Sequence, residues 1–168
     1  PALRLRADGR QVAFTDLLHG TVEGPIDDFV VRRNDGAPAY NLAVVVDDDR
    51  HGIEQVVRGD DLLDTTPRQV LLAELLDLPS PSYVHVPLAL APDGERLAKR
   101  RGARSLGDLR RLGVSIPEIL RAMAASLAID LAGPPTTAAD LLPGFEPRRI
   151  PRQPWLVPAP WDGAGASR

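Results

Sequence analysis

The stretch from residue 52 to residue 90 constrains the fold most. It reads GIEQVVRG, then TTPRQVLLAELLDLP, then SYVHVPLAL: a β-branched run, a segment with helical spacing, and a second β-branched and apolar run. Thr66 stands where a helix cap belongs. Pro67 follows where a missing N–H costs nothing, and Gln69 lies three residues beyond the cap, the place of a capping-box partner. Val70, Leu71, Ala73 and Leu75 then give a broad apolar face, which Pro79 closes. Strand, helix and apolar strand in this order are the signature of a parallel βαβ unit. Sheets of this kind bind ligands beyond the carboxyl ends of their strands. Here those ends are Arg58 and the loop that starts at Ala91.

Upstream, LRLRADGRQVAFTDLLHGTVEG has short alternating stretches broken at ADGR and LHG, which suits β-hairpin structure. Phe29 to Arg33 is strand-like and NDG is a turn signal, whereas AYNLAVVVDD fits a buried strand or a buried helix equally. Downstream, Ser105 with Asp108 and Ser115 with Glu118 are two helix starts of the capping-box type. IPEILRAMAASLAI has the apolar spacing of an amphipathic helix. From Pro143 the chain is rich in proline and reads as a surface tail, pinned by Trp155 and Trp161.

The loop DGERLAKRRGARS, residues 93–105, holds Lys99, the only lysine in the chain. A generic charge run is most often a solvated face. This one follows a turn at the end of a βαβ strand. Its lysine is a compact charge on a flexible stem, suited to following a phosphate, whereas guanidinium is a rigid fork.

The 168 residues, 43% hydrophobic, are enough for a globular core, and the net charge of -3 argues against non-specific coating of nucleic acid. With no cysteine, neither a disulfide framework nor a thiolate metal site can form within these residues, and a cytoplasmic location is expected. No apolar run approaches the roughly 20 residues needed to cross a bilayer, so no membrane partner is expected. His19, His51 and His85 are too scattered in sequence to suggest a metal site. For His85, in the strand before the loop, a satisfied structural role is the expectation. The opening PALRLRADGR lacks a Met and reads as the middle of a folded region, so a missing N-terminal part is expected.

ERLAKRRG resembles the Lys-Met-Ser-Lys-Ser signature loop of class I aminoacyl-tRNA synthetases, in the Lys-Leu-Ser-Lys-Arg form of the glutamyl branch. DDFVVRRNDGAPAYNLAVVVDDDRHGIEQVVRGDDLLDTTPRQ and YVHVPLALAPDGERLAKR stand in the order expected of the second half of such a catalytic domain, so the resemblance covers roughly residues 1–130. It implies an α/β fold: a Rossmann-like half-domain at residues 1–104, a helical region at 105–142 and a Pro-rich tail at 143–168.

The resemblance assigns Tyr40 and Arg58 to the glutamate carboxylates, and Arg96, Leu97, Ala98, Lys99 and Arg100 to an ATP-binding loop with Lys99 as the catalytic cation. On the residues alone, Tyr40 is open to a core role and Arg58 to pairing with Asp60 or Asp61. Arg96 replaces the first signature lysine and Ala98 the serine, so the loop departs from the pattern at both places. Neither the His-Ile-Gly-His signature nor a cysteine-containing zinc site is present. Zinc is therefore expected only in a missing N-terminal part, and these residues alone should not catalyse.

The implied cofactors are ATP and Mg2+, and the implied partners are glutamate and a tRNA, with a monomer expected. The ending LLPGFEPRRIPRQPWLVP resembles the tail of shortened members of the branch, which attach glutamate to queuosine in the anticodon of tRNA(Asp). After Ser115 the chain has room for little more than one substantial helix, which favours tRNA(Asp) over tRNA(Glu). The alternatives are an ordinary glutamyl-tRNA synthetase whose chain has been shortened, and a non-catalytic tRNA- or nucleotide-binding paralogue.

Overall fold

The computed structural model describes residues 1–97, 104–158 and 161. The chain divides into two compact units, Pro1–Val86 and Pro87–Arg168.

The first unit is α/β. A four-stranded sheet runs in the order β3 (Gly20–Pro25), β2 (Gln11–Asp16), β6 (Ser82–Val86), β5 (Gln55–Gly59). The expected hairpin is β2 and β3, paired antiparallel from Gln11 opposite Pro25 to Asp16 opposite Gly20. Phe14 and Asp16 point inward on alternate positions of β2, as a half-buried strand requires. The β5 and β6 strands are parallel, with Arg58 opposite His85. Their crossover is a 3-10 segment (Asp60–Thr65) that continues into α2 (Thr66–Leu75), which is the βαβ unit read from the sequence. A separate antiparallel pair joins β1 (Leu3–Leu5) to β4 (Phe29–Arg32).

The ambiguous AYNLAVVVDD run is a helix, α1 (Tyr40–Arg50). Leu42 and Val45, one turn apart, pack on a core of Val12, Ile26, Phe29, Leu71 and Leu72. Burying those five side chains and Val45 supplies about 1.5–3 kcal/mol each, which holds both helices to the sheet.

Two local expectations need correction. Thr66 is not a cap: the 3-10 segment delivers the chain already helical, with Thr65 at φ −95° and ψ −14°, so no extended capping residue exists and no side chain caps this helix. SYVHVPLAL is not one strand. It breaks into β6 and β7 (Ala89–Leu90), because Pro87 has no N–H to continue the ladder.

In the second unit, Ser105 and Ser115 form the two expected capping boxes and start α3 (Leu106–Arg111) and α4 (Ile116–Ser126). Leu120 and Ala124 of α4 pack with Ile129 and Leu141. The Pro-rich stretch is built in more firmly than a surface tail. Trp155 and Leu156 form β8, parallel to β7, with Trp155 N–H donating to Leu88 O at 2.9 Å and Val157 N–H to Leu90 O at 2.8 Å. Ile150 and Val157 are buried, and Trp155 meets Trp161 edge-on at 6.1 Å.

Candidate active site

Arg58 is the fourth residue of β5, at the carboxyl end where a parallel sheet presents its ligands. Its guanidinium makes three hydrogen bonds. Nε donates to His85 Nε2 at 3.0 Å, Nη1 to Gln69 Oε1 at 2.8 Å and Nη2 to Thr66 Oγ1 at 2.6 Å. The Tyr83 ring covers one face, its centroid 5.5 Å from Cζ. Each acceptor is neutral, and none of the ion pairs among the described residues involves Arg58, so pairing with Asp60 or Asp61 is not what the structure adopts. Of the five N–H groups a guanidinium carries, two are left over from these three bonds. A fixed plane, an uncompensated charge and spare donors suit two-point binding of a carboxylate.

Each acceptor is itself held. Thr66 donates its hydroxyl proton to Leu62 O at 2.9 Å, a back-bond within the helical turn, which leaves its oxygen facing Arg58. Gln69 Nε2 donates to Asn41 Oδ1 at 3.0 Å, which fixes the amide with its oxygen toward Arg58. Thr66 and Gln69, whose spacing resembles a capping box, are thus two of the three acceptors around Arg58.

His85 is wholly buried and Asp16 is 1% exposed, and they meet through His85 Nδ1 and Asp16 Oδ2 at 2.8 Å. The backbone N–H of His85 donates to the same oxygen at 2.9 Å, while Asp16 Oδ1 accepts from Leu18 N–H at 2.8 Å and His19 N–H at 2.9 Å. Burial pushes the Asp16 carboxyl upward. The donated bonds of His19, His85 and Leu18 outweigh it and hold it below the usual carboxylate range. For His85, burial is the main cause of a lowered pKa, and the Arg58 charge adds to it against the pull of Asp16. His85 is therefore neutral, with its proton on Nδ1 and its Nε2 lone pair toward Arg58. The satisfied structural histidine expected from the sequence is also a direct neighbour of Arg58.

Tyr40 opens α1, one residue before Asn41, and is 58% exposed, so it does not serve as a core aromatic in this unit. In the second unit, a turn with Gly94 at φ 81° reverses the chain. Ala91 N–H donates to Glu95 O at 2.8 Å, and Arg96 bridges back to Leu90. Arg96 and Leu97 follow that turn, whereas Ala98, Lys99 and Arg100 lie outside the described residues. Among the described residues, no three His, Cys, Asp or Glu side chains are grouped to hold a metal ion, and no helix is long and apolar enough to cross a membrane.

The chain belongs to the class I tRNA synthetases of the E and Q type, whose catalytic-domain family matches residues 1–128. It is 54% identical to the glutamyl-Q tRNA(Asp) synthetase of Nocardia farcinica over 156 residues, which are 93% of this chain and 49% of that protein. The glutamate–tRNA ligase of Oleidesulfovibrio alaskensis is 47% identical over 123 residues, 70% of this chain and 26% of that one. Among solved structures, the glutamate tRNA ligase of Elizabethkingia meningosepticum, crystallised in complex with its amino acid, superposes with a TM-score of 0.70 at 25% identity. That match covers 92% of this chain and 35% of the other. The chain thus spans about half the length of its glutamyl-Q relatives.

Proposed function

We propose that this chain is part of an enzyme that activates glutamate with ATP and transfers it to queuosine in the anticodon of tRNA(Asp). The observation that carries the glutamate assignment is the Arg58 guanidinium, fixed by three neutral acceptors with two N–H groups to spare. A fixed guanidinium with N–H groups to spare supports a two-point grip on a carboxylate. Tyr40, exposed at the start of α1, is assigned a hydroxyl contact to the same amino acid.

In the reaction proposed, a glutamate carboxylate oxygen attacks the α-phosphorus of ATP, an anhydride bond to phosphorus forms, and pyrophosphate leaves. Lys99 is assigned to the charge that develops on the phosphates, with Arg96 and Arg100 on the same loop. Removing one such electrostatic contact typically costs about 3–4 kcal/mol of barrier. Mg2+ would travel with ATP, held mainly by its phosphates. In the second step, queuosine takes the glutamyl group and AMP leaves. Extent of match supports tRNA(Asp) as the acceptor: the Nocardia glutamyl-Q enzyme aligns over 93% of this chain and the Oleidesulfovibrio glutamate–tRNA ligase over 70%.

The testing experiment is glutamate-dependent ATP–pyrophosphate exchange by the complete protein, with and without Lys99→Ala. Exchange that falls roughly 100- to 1,000-fold in the variant with the fold intact supports the reading. Unchanged exchange removes Lys99 from the mechanism.

A further inference from the structure

We infer that Asp16 and His85 form a positioning pair that aims Arg58 at its carboxylate ligand. The inference rests on the reading of Arg58 as the glutamate-binding residue and adds two residues that touch no substrate. A guanidinium on a flexible stem has many rotamers, and holding one requires an acceptor at a fixed place. The Nε of Arg58 has His85 Nε2 as that acceptor, at 3.0 Å. An imidazole offers an acceptor at Nε2 only when its proton is on Nδ1, and the Asp16 carboxylate, 2.8 Å from Nδ1, selects that tautomer. Asp16 in turn is oriented by the N–H groups of Leu18 and His19 at the turn after β2. The relay therefore runs from the hairpin through β6 to β5.

Protonating His85 would put an Nε2–H, able to turn to Thr66 Oγ1 at 3.0 Å, where Arg58 Nε now finds its acceptor, and would release Arg58 Nε. The groups that face the ring are Asp16 from β2, Arg58 from β5 and Thr66 from α2, its hydroxyl 3.0 Å from Nε2. The remaining titratable neighbours are Tyr83, stacked on the ring at 6.0 Å, and His19, whose Nε2 lies 3.1 Å from the His85 carbonyl oxygen. Acidification should thus weaken glutamate through His85 rather than through the ligand.

The test uses the complete enzyme and compares two substitutions that split the ring's roles. His85→Gln places an amide oxygen near the Nε2 position and keeps an acceptor for Arg58. His85→Asn places its amide near Nδ1, so it serves Asp16 and leaves Arg58 without its acceptor. In exchange assays, His85→Asn should raise the KM for glutamate roughly tenfold or more, with the KM for ATP within about twofold of wild type. His85→Gln should recover most of that loss and flatten the acid limb of glutamate binding. A glutamate KM unmoved by His85→Asn, or both KM values raised equally, overturns the pair.

Should either variant fail to fold, ring-nitrogen NMR of the wild-type protein decides. A neutral His85 protonated at Nδ1 at pH 7 supports the pair, and an Nε2–H or doubly protonated ring overturns it. Arg58→Lys separates the two levels. A normal glutamate KM there defeats the reading of Arg58 itself, whereas weakened glutamate in Arg58→Lys with normal His85→Asn defeats only the positioning role.

Discussion

Arg58 and His85 are register partners on adjacent parallel strands, and the Nε of one lies 3.0 Å from the Nε2 of the other. Neighbouring positions on a sheet share a face, so the pairing of β5 with β6 is itself what brings the guanidinium donor and the imidazole acceptor together. The guanidinium then needs only Thr66 and Gln69, one turn apart on α2, to be held on its remaining sides.

Arg58→Lys should weaken glutamate far more than ATP. One ammonium cannot serve His85, Thr66 and Gln69 and still grip a carboxylate at two points. Glutamate KM should rise roughly 30-fold or more with ATP KM little changed. Equal weakening of both ligands would make Arg58 a structural residue.

Gln69→Glu should separate stability from binding. The new carboxylate would sit beside Arg58 at the place where Gln69 Oε1 now lies 2.8 Å from Nη1. It would supply the negative charge that the three present acceptors withhold. The expected outcome is a folded protein, by circular dichroism and thermal melting, with glutamate KM raised at least tenfold. Normal glutamate binding would show that the uncompensated charge of Arg58 is irrelevant.

Much of this fold was readable because its signals are local. The βαβ order, the hairpin and the capping boxes at Ser105 and Ser115 each depend on residues a few positions apart. Thr66 and Gln69 show the limit. Their spacing matches a capping box, but a preceding 3-10 segment changes what Thr66 faces, and that segment carries no cap signal of its own. Asp16 and His85 lie 69 positions apart, so only the pairing of β2 with β6 makes them neighbours. Asn41 was equally silent, one amide in a run that suited strand or helix. The roles proposed for Arg58 and Tyr40 rest on resemblance, since a lone arginine after a strand has no periodicity to betray a ligand.

Stability should fall with acid in two windows. The folded His85 pKa lies below its ordinary 6.5, so the unfolded chain binds a proton the folded one refuses. That contribution is fully present above pH 6.5 and is lost as pH falls toward the lowered value. Asp16, lowered from 3.8, contributes stability that is present above pH 3.8 and is lost below it, and the capping-box carboxylates Asp108 and Glu118, lowered from 3.8 and 4.5, lose theirs in the same acid range. Urea titrations from pH 7.5 to pH 3 should show both declines, and His85→Gln should remove the first. A flat profile between pH 7 and pH 5 would contradict the neutral His85.

Gly144→Ala should destabilise the second unit. A Cβ there would lie 2.9 Å from Ile129 Cγ2 and 3.0 Å from the Asp130 carbonyl oxygen. Backbone on one side and a core isoleucine on the other leave little room to yield, so a cost of about 1–3 kcal/mol is expected in chemical denaturation. An unchanged midpoint would mean that the turn shifts freely.

The acceptor tests the proposed function most directly. The measurement is transfer of radiolabelled glutamate by the complete protein to tRNA(Asp) with queuosine, tRNA(Asp) without it, and tRNA(Glu). Arg100, in the proposed ATP-binding loop, and Arg101 and Arg104 beyond it are candidates to meet tRNA phosphates, and such contacts would make binding fall with salt without setting base choice. The expected result is labelling of queuosine-bearing tRNA(Asp) alone. Efficient charging of tRNA(Glu), or equal labelling of tRNA(Asp) with and without queuosine, would contradict the assignment.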